Sequence, residues 1–358
     1  MKPGMRKTNN KEHFKAMSKS ISKELIIIGS GPAGLKAGEL AAKHKLDFVI
    51  LEKGNTGQSW IDVKPDMNFL SPCLPQRDWT SLSSKFPIWK LPVKRPYCTA
   101  KEFTVYLKEF AGHFKLPVEE KCMVKNIQYA DGLYKAFCAD GREFIAPFLI
   151  VATGIFGNKY IPDIPGVMNN PAVMHSHDYK NAADFRNKKV LVVGAGNSAA
   201  ETAIDLAGDA MVYMVSREDL KFFADTQKLY HIRGISESYL KELISMEIIR
   251  YHAYQEIQKI EGNIVHFRDW NLAVDKIVFA TGYRGDLKIL NNFKIRVNKF
   301  NYPEISYIGE SLQYPNLFFA GPLAFQKMVS VLIHGFINQV PGTIGRIVEL
   351  LRTGQSKV

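Results

Sequence analysis

Cysteine is scarce in this chain, with four residues in 358, at Cys73, Cys98, Cys122 and Cys138. No two stand in a CxxC spacing, so a disulfide scaffold, a zinc site and a vicinal redox dithiol all lack support. Long apolar runs are missing too, since none approaches the roughly 20 residues that a membrane-spanning helix needs. Residues 1–22 are basic and weakly patterned, without the apolar centre of a secretion signal, and read as a flexible tail on a soluble, cytoplasmic protein. Acidic residues are fewer than basic ones, 35 against 47, which gives a net charge of +12 and a pI near 9.3. The excess is scattered and forms no stripe interleaved with aromatics, so no nucleic-acid partner is expected. His231 and His252 have no companion at metal spacing, and no metal site is expected. No Ser-His-Asp or paired-carboxylate pattern stands out.

Two glycine-rich turns dominate what remains. In the first, an apolar strand at residues 25–28 enters a turn with Gly29, Gly31 and Gly34, and a helix follows at 33–43. A second strand at 48–51 then ends in Glu52. Gly29 permits the tight turn, Gly31 lets backbone approach a pyrophosphate, and Gly34 lets the helix pack closely. Glu52 falls where a carboxylate accepts hydrogen bonds from ribose hydroxyls. The pattern recurs at 189–201, with a strand at 190–193, then Gly194, Gly196 and the small Ala199 opening a helix through 206. Its second strand, 211–215, ends in Ser216 and Arg217 instead of an acid. Hydroxyl plus guanidinium suits a 2′-phosphate, so NADPH is expected there, with NADH as the alternative.

Between and after these turns the chain gives coarser signals. Residues 54–60 form a turn-rich loop ending in Trp60, and 65–96 form a long stretch rich in Pro, Ser and aromatics that should close over something. Residues 99–114 predict an amphipathic helix capped by Thr99 and Glu102. Asp131-Gly132 and Asp140-Gly141 separate short strands at 122–129, 134–138 and 143–145, which predicts an antiparallel meander. Strands at 148–151 and 276–279 each run into Ala-Thr-Gly. Residues 220–254 carry helical patterning, 317–321 a last buried strand, and 328–351 a long apolar helix with room for a homodimer contact.

Taken together, GSGPAG at 29–34 with Glu52, GQSW at 57–60, ATG at 152–154, HSHDY at 175–179, GAGNSA at 194–199, ATGY at 280–283 and FFAGP at 318–322 resemble the class B flavin-containing monooxygenases in their small bacterial form. The resemblance covers nearly the whole chain after residue 22. It implies an α/β fold of two Rossmann-like dinucleotide-binding domains, an FAD domain at 23–160 and 275–358 with an NAD(P)H domain inserted at 161–274. By resemblance FAD contacts Gly29, Gly31, Gly34, Glu52, Gln58 and Trp60, and NADPH contacts Gly194, Gly196, Asn197, Ser198, Ser216 and Arg217. Pro32, Ala33, Lys53, Ala152, Thr153, Gly154, Thr281, Gly282 and Gly321 are further cofactor positions.

The implied activity is oxidation of a small soft nucleophile or ketone by O₂ through a C4a-hydroperoxide of the reduced flavin, with Asn68, Leu70 and His175 as candidate catalytic positions. Three places depart from the family pattern. Asn169 and Pro171 stand where Phe and Gly are expected ahead of His175, Leu70 stands where eukaryotic members place an Asn, and Pro322 stands where many relatives have Asp. An NAD(P)H-dependent reductase of a disulfide, quinone or electron carrier is the first rival reading, with Cys73 as a single thiol near the flavin. A non-catalytic nucleotide sensor is the second. Substrate-lining residues are expected from 65–96 and around 325–328.

Overall fold

The computed structural model describes residues 20–93, 95–326 and 332–354. Two five-stranded, all-parallel sheets organise these residues. In the first, the order is Leu317–Phe319, Phe148–Val151, Leu25–Ile28, Phe48–Leu51 and Val118–Glu119. In the second it is Val173–His175, Lys276–Phe279, Lys189–Val193, Met211–Val215 and Ile249–His252. Each glycine-rich turn therefore leaves the central strand of its sheet. Each Ala-Thr-Gly segment leaves the strand beside it, so the duplication legible in the motifs is also a duplication of topology.

Parallel strands covered on both faces should be apolar without alternation, and Leu25, Ile26, Ile27 and Ile28 are all buried. One face of the first sheet is covered by helices Pro32–Lys43, Ala100–His113 and Ile333–Thr353. Strands Val124–Ala130, Leu133–Cys138 and Glu143–Ala146 pack on the other. Their first hairpin turns at Asp131 and Gly132, both at positive φ (54° and 74°), as a two-residue loop between twisted strands requires. The second sheet repeats this sandwich, with helices Asn197–Leu206 and Ile235–Ser245 on one face and a small meander, Lys259–Glu261, Ile264–His266 and Asn271–Ala273, on the other. That second meander is absent from the sequence reading because its strands are only three residues long and carry many polar side chains.

The helix expected at 99–114 spans Ala100–His113, and its capping box is formed: Thr99 N–H donates to Glu102 (2.7 Å) and Glu102 N–H to Thr99 Oγ1 (3.2 Å). Other boundaries move. Lys276–Phe279 is bonded into the second sheet, so the return to the first unit expected at residue 275 comes after that strand. Ile21–Ser22, placed in the tail by sequence, pair with Phe144–Ile145 at the edge of the first meander; residues 1–19 lie outside the described residues. Helical patterning at 220–254 resolves into Phe223–Thr226, Ile235–Ser245 and the strand Ile249–His252. The last helix begins at Ile333, and 327–331 lie outside the described residues. Its apolar face, including Phe336, Val340, Ile344 and Ile347, is spent inside the first core.

Candidate functional site

At the first turn the three glycines meet three different constraints. Gly29 holds φ at +102°, and a Cβ there would lie 2.6 Å from the Ala152 carbonyl oxygen. A Cβ on Gly34 would lie 1.9 Å from the Gly29 oxygen, so only glycine lets this helix sit against its own turn. Gly31 differs, because it has ordinary dihedrals (φ −71°, ψ −179°) and nothing within 4 Å of its missing Cβ. The space at Gly31 is open to a ligand and faces the free amides of a helix N-terminus started by Pro32.

The surroundings fit the phosphates and ribose of a dinucleotide. Glu52 is buried, and its Oε2 accepts from the Ser30 amide (2.8 Å) and hydroxyl (2.9 Å) while Oε1 accepts from Gly54 N–H (3.0 Å). These bonds fix the carboxylate beside the turn. Thr153 Oγ1, one residue beyond the carbonyl that touches Gly29, is buried with no hydrogen-bond partner among the described residues, so it fits a polar group bound at this turn. Gly321 holds φ at +69°, and a Cβ there would lie 2.8 Å from that of Ala33, which brings the C-terminal loop onto the same helix. Gly154 is open at φ +72°. Gln58 is engaged locally with Asn55 and Asp62. Trp60 packs on Phe69, Phe103 and Phe156 at 4.8 to 5.6 Å between centroids, so its indole supports the wall. Lys53 lines a smaller cavity with Asp62, Phe156 and His177.

The second turn has the same geometry with other chemistry. Gly194 holds φ at +146° with the Ala280 carbonyl oxygen 2.5 Å from a Cβ position, and Gly196 is open. Asn197 spans the helix start, donating to the His231 carbonyl (3.1 Å) and accepting from Arg233 N–H (3.1 Å). Arg217 is exposed and has no ion pair among the described residues. Ser216 corrects the sequence reading: it is buried, and its hydroxyl is shared with the Glu218 carbonyl (2.5 Å) and Tyr251 hydroxyl (2.8 Å). Thr281 is tied to the Tyr160 carbonyl, and Gly282 accepts from Tyr160 N–H (3.0 Å).

Between the two units lies a cavity of about 890 Å³. The 65–96 stretch forms one wall with Asn68, Phe69, Leu70, Trp79 and others, as its expected closing role requires. The opposite wall comes from the second helix, through Ser198, Glu201, Thr202 and Asp205, and from Arg233 and Tyr239. Lys64 of the first wall meets Asp205 of the second at 2.7 Å, and Tyr179 donates to the same carboxylate. Burial and that carboxylate raise the Tyr179 hydroxyl far above its ordinary range. Burial also lifts the Glu201 carboxyl to about 7.

Among the candidate catalytic positions, Asn68 and Leu70 face the cavity and His175 does not. His175 is buried, with Nε2 on the Gly282 carbonyl (3.0 Å) and Nδ1 accepting from His177 N–H (3.1 Å), so both nitrogens anchor the linker. Burial holds its pKa below the ordinary value. His177, which the sequence reading passed over inside the same motif, lines the cavity with its Nδ1 3.2 Å from the Tyr283 hydroxyl. Arg233 stands in no motif, and Glu201 closes the second glycine pattern without a role of its own there, so neither is singled out by the sequence. Phe325 stacks on Tyr302, away from the cavity wall.

None of the four cysteines lines the cavity. Cys73 is buried beside Cys98, and Cys122 meets Cys138 at 2.7 Å between sulfurs in the opposite core. Cys122, Cys138 and Asp140 form the one metal-like cluster among the described residues, but Arg142 already occupies the Asp140 carboxylate at 2.8 Å.

Comparison with known proteins agrees with this geometry. Residues 26–321 match the family described as pyridine nucleotide-disulphide oxidoreductase. The probable indole-3-pyruvate monooxygenase YUCCA1 of Arabidopsis thaliana is 33% identical over 187 residues, covering 51% of this chain and 44% of that one. The chain thus spans less than half the length of that relative. An oxidoreductase of Geobacillus kaustophilus, described as CzcO-like, is 27% identical over 74% of this chain and 81% of its own. Among solved structures, a flavin-containing monooxygenase from Stenotrophomonas maltophilia superposes with a TM-score of 0.81 at 20% identity, covering 92% of this chain and 99% of that one. A bacillithiol disulfide reductase from Staphylococcus aureus gives 0.79 at 22%, covering 93% and 99%. The fold is shared by oxygen-using and disulfide-reducing enzymes alike. No described helix is long and apolar enough to cross a membrane. By its matched family, which spans most of its length, the chain belongs to the pyridine nucleotide-disulphide oxidoreductases.

Proposed function

We propose that this protein is an NADPH-consuming FAD monooxygenase that oxidises a small organic substrate in the cavity between its two units. The observation that carries the reading is that none of the four thiols reaches the cavity that both dinucleotide units help to enclose. A dithiol relay needs a thiol at the reacting face. In a monooxygenase reaction the nicotinamide hydride supplies two electrons, one oxygen atom of O₂ enters the product, and the other leaves as water with a proton taken up from solvent.

FAD, when bound, accepts the hydride and carries out the chemistry with oxygen. The protein's own part is to bind, orient and exclude water. The first turn, Thr153 and Glu52 would hold FAD, and the amides at Gly196 with Arg217 would hold NADPH. The Lys64–Asp205 pair clasps the two walls, and the 65–96 stretch lines the side from which water would have to be displaced. Leu70 offers no hydrogen bond at its place in the wall, whereas His177 and Tyr283 offer a ring nitrogen and a hydroxyl there. The indole-3-pyruvate named for the plant relative is a carbonyl compound, consistent with a ketone-type substrate.

The test is aerobic turnover of FAD-supplied protein with NADPH, methyl p-tolyl sulfide or cyclohexanone, and ¹⁸O₂. Labelled sulfoxide or lactone is the expected result. NADPH consumption matched by equimolar peroxide without labelled product, or faster reduction of a disulfide or quinone, would transfer the protein to the reductase reading. Protein that stays colourless with FAD would remove both.

A further inference from the structure

Among the described residues, four cationic side chains line the cavity: Lys64, Arg77, Arg95 and Arg233. Lys64 is paired with Asp205, Arg95 reaches Glu102 at 3.5 Å, and the exposed Arg77 stacks on Trp79 at 5.0 Å. Arg233 is different. It is only 6% exposed, its Nε has no hydrogen-bond partner, and its guanidinium makes no ion pair among the described residues. A buried charge without a partner is costly, and an arrangement that leaves one is usually completed by a ligand.

We propose that Arg233 is the anchor for the carboxylate of the organic substrate, so that the cavity takes an aromatic or other apolar acid. This rests on the oxidoreductase reading of the same cavity. Arg233 is placed by its backbone, whose N–H is held by Asn197 at the start of the second helix. Its charge bears on Tyr97, just after the 65–96 stretch, on Glu201 one turn beyond Asn197, and on His334 at the start of the last helix. The guanidinium lines the same cavity as Ser198 and Glu201 of the second helix, so titration with NADP⁺ is what separates a substrate carboxylate from a dinucleotide phosphate. Around it Phe69, Leu70, Trp79, Phe223 and Tyr239 supply an apolar lining for the rest of the molecule. Glu201 does not compete strongly for the cation, because burial leaves much of its carboxyl protonated near neutral pH. A planar guanidinium meets a carboxylate with two parallel hydrogen bonds, which also fixes the direction in which the substrate body points.

Calorimetric titration of FAD-supplied protein with phenylacetate, phenylacetamide and NADP⁺ tests this on the wild type, Arg233→Met and Arg233→Lys. Expected for the wild type is phenylacetate binding at least tenfold tighter than binding of the neutral amide. In Arg233→Met that preference disappears while the NADP⁺ affinity stays within twofold, and Arg233→Lys restores part of it. Removing an unpaired buried charge should also raise the melting temperature of the ligand-free protein by about 2 °C, whereas loss of a structural arginine would lower it. Absence of acid preference in the wild type, unchanged phenylacetate binding in Arg233→Met, or a variant that fails to fold would each overturn the proposal. A tenfold loss of NADP⁺ affinity in Arg233→Met would reassign the residue to a nucleotide phosphate. Colourless protein that still prefers phenylacetate would sink the flavoprotein reading and leave this one standing.

Discussion

The two glycine turns share one backbone plan and finish it differently. In the first, the helix sits so close that a single methyl group at Gly34 would penetrate the Gly29 carbonyl; in the second, Ala199 occupies the matching place, 3.3 Å from the Cβ position of Gly194. The strands that follow end in opposite charge, a buried carboxylate pinned by the first turn at Glu52 and an exposed guanidinium at Arg217. On the proposed reading, the backbone geometry of the turns suits a dinucleotide in both units, and the end of the neighbouring strand is what would tell one dinucleotide from the other.

The sharpest break of this parallel is Gly34→Ala. It should cost about 3 kcal/mol or more, because backbone must move to relieve a 1.9 Å contact. Chemical denaturation checks it, and an unchanged midpoint would mean that the helix can shift without loss. Gly31→Ala and Gly196→Ala form the contrasting pair. Each adds a methyl to open space at permitted dihedrals, so stability should stay within about 0.5 kcal/mol. The first should lose FAD absorbance on desalting and the second should lose NADPH reduction while staying yellow; a Gly31→Ala protein that keeps its flavin would refute the assignment.

At the strand ends, Arg217→Ala should raise the NADPH KM about tenfold, the worth of a charge-assisted contact, and spare NADH. Ser216→Ala should barely change that ratio, since its hydroxyl is already engaged by Tyr251 and Glu218, and should instead lower stability by about 1 kcal/mol. Equal effects of the two substitutions on NADPH would undo the distinction.

The smallest effect concerns the linker between the turns. Burial holds His175 below its ordinary pKa of 6.5, so the unfolded chain binds its proton more readily. Its contribution is intact above pH 6.5 and declines as pH falls through that value toward the lower folded pKa. Melting temperature should drop between pH 7 and pH 5, and His175→Gln, which can still donate to Gly282, should show a shallower drop. An identical slope in both proteins would assign the pH response elsewhere.

The central strands, the Thr99 helix cap and the Asp131-Gly132 hairpin were all legible because each depends on neighbours close in sequence. The edge strand at Ile21–Ser22 and the three-residue strands of the second meander were not, since short polar segments pair only where a partner edge is already in place. Ser216 shows the same limit within a site. Its residue type suits a phosphate, but Tyr251, a strand away, had already claimed the hydroxyl.

His175 and His177 lie two residues apart in one motif, and only packing decides which faces the cavity and which is buried against Gly282. The sequence by itself determined the two βαβ units, their glycine turns and the opposite charges at their strand ends, because those are local patterns of period, turn and type. Tertiary structure alone decided the cavity, the burial of all four thiols away from it, and an Arg233 on its wall with no ion pair among the described residues. Those follow from how the two sheets face each other, and no spacing along the chain records that.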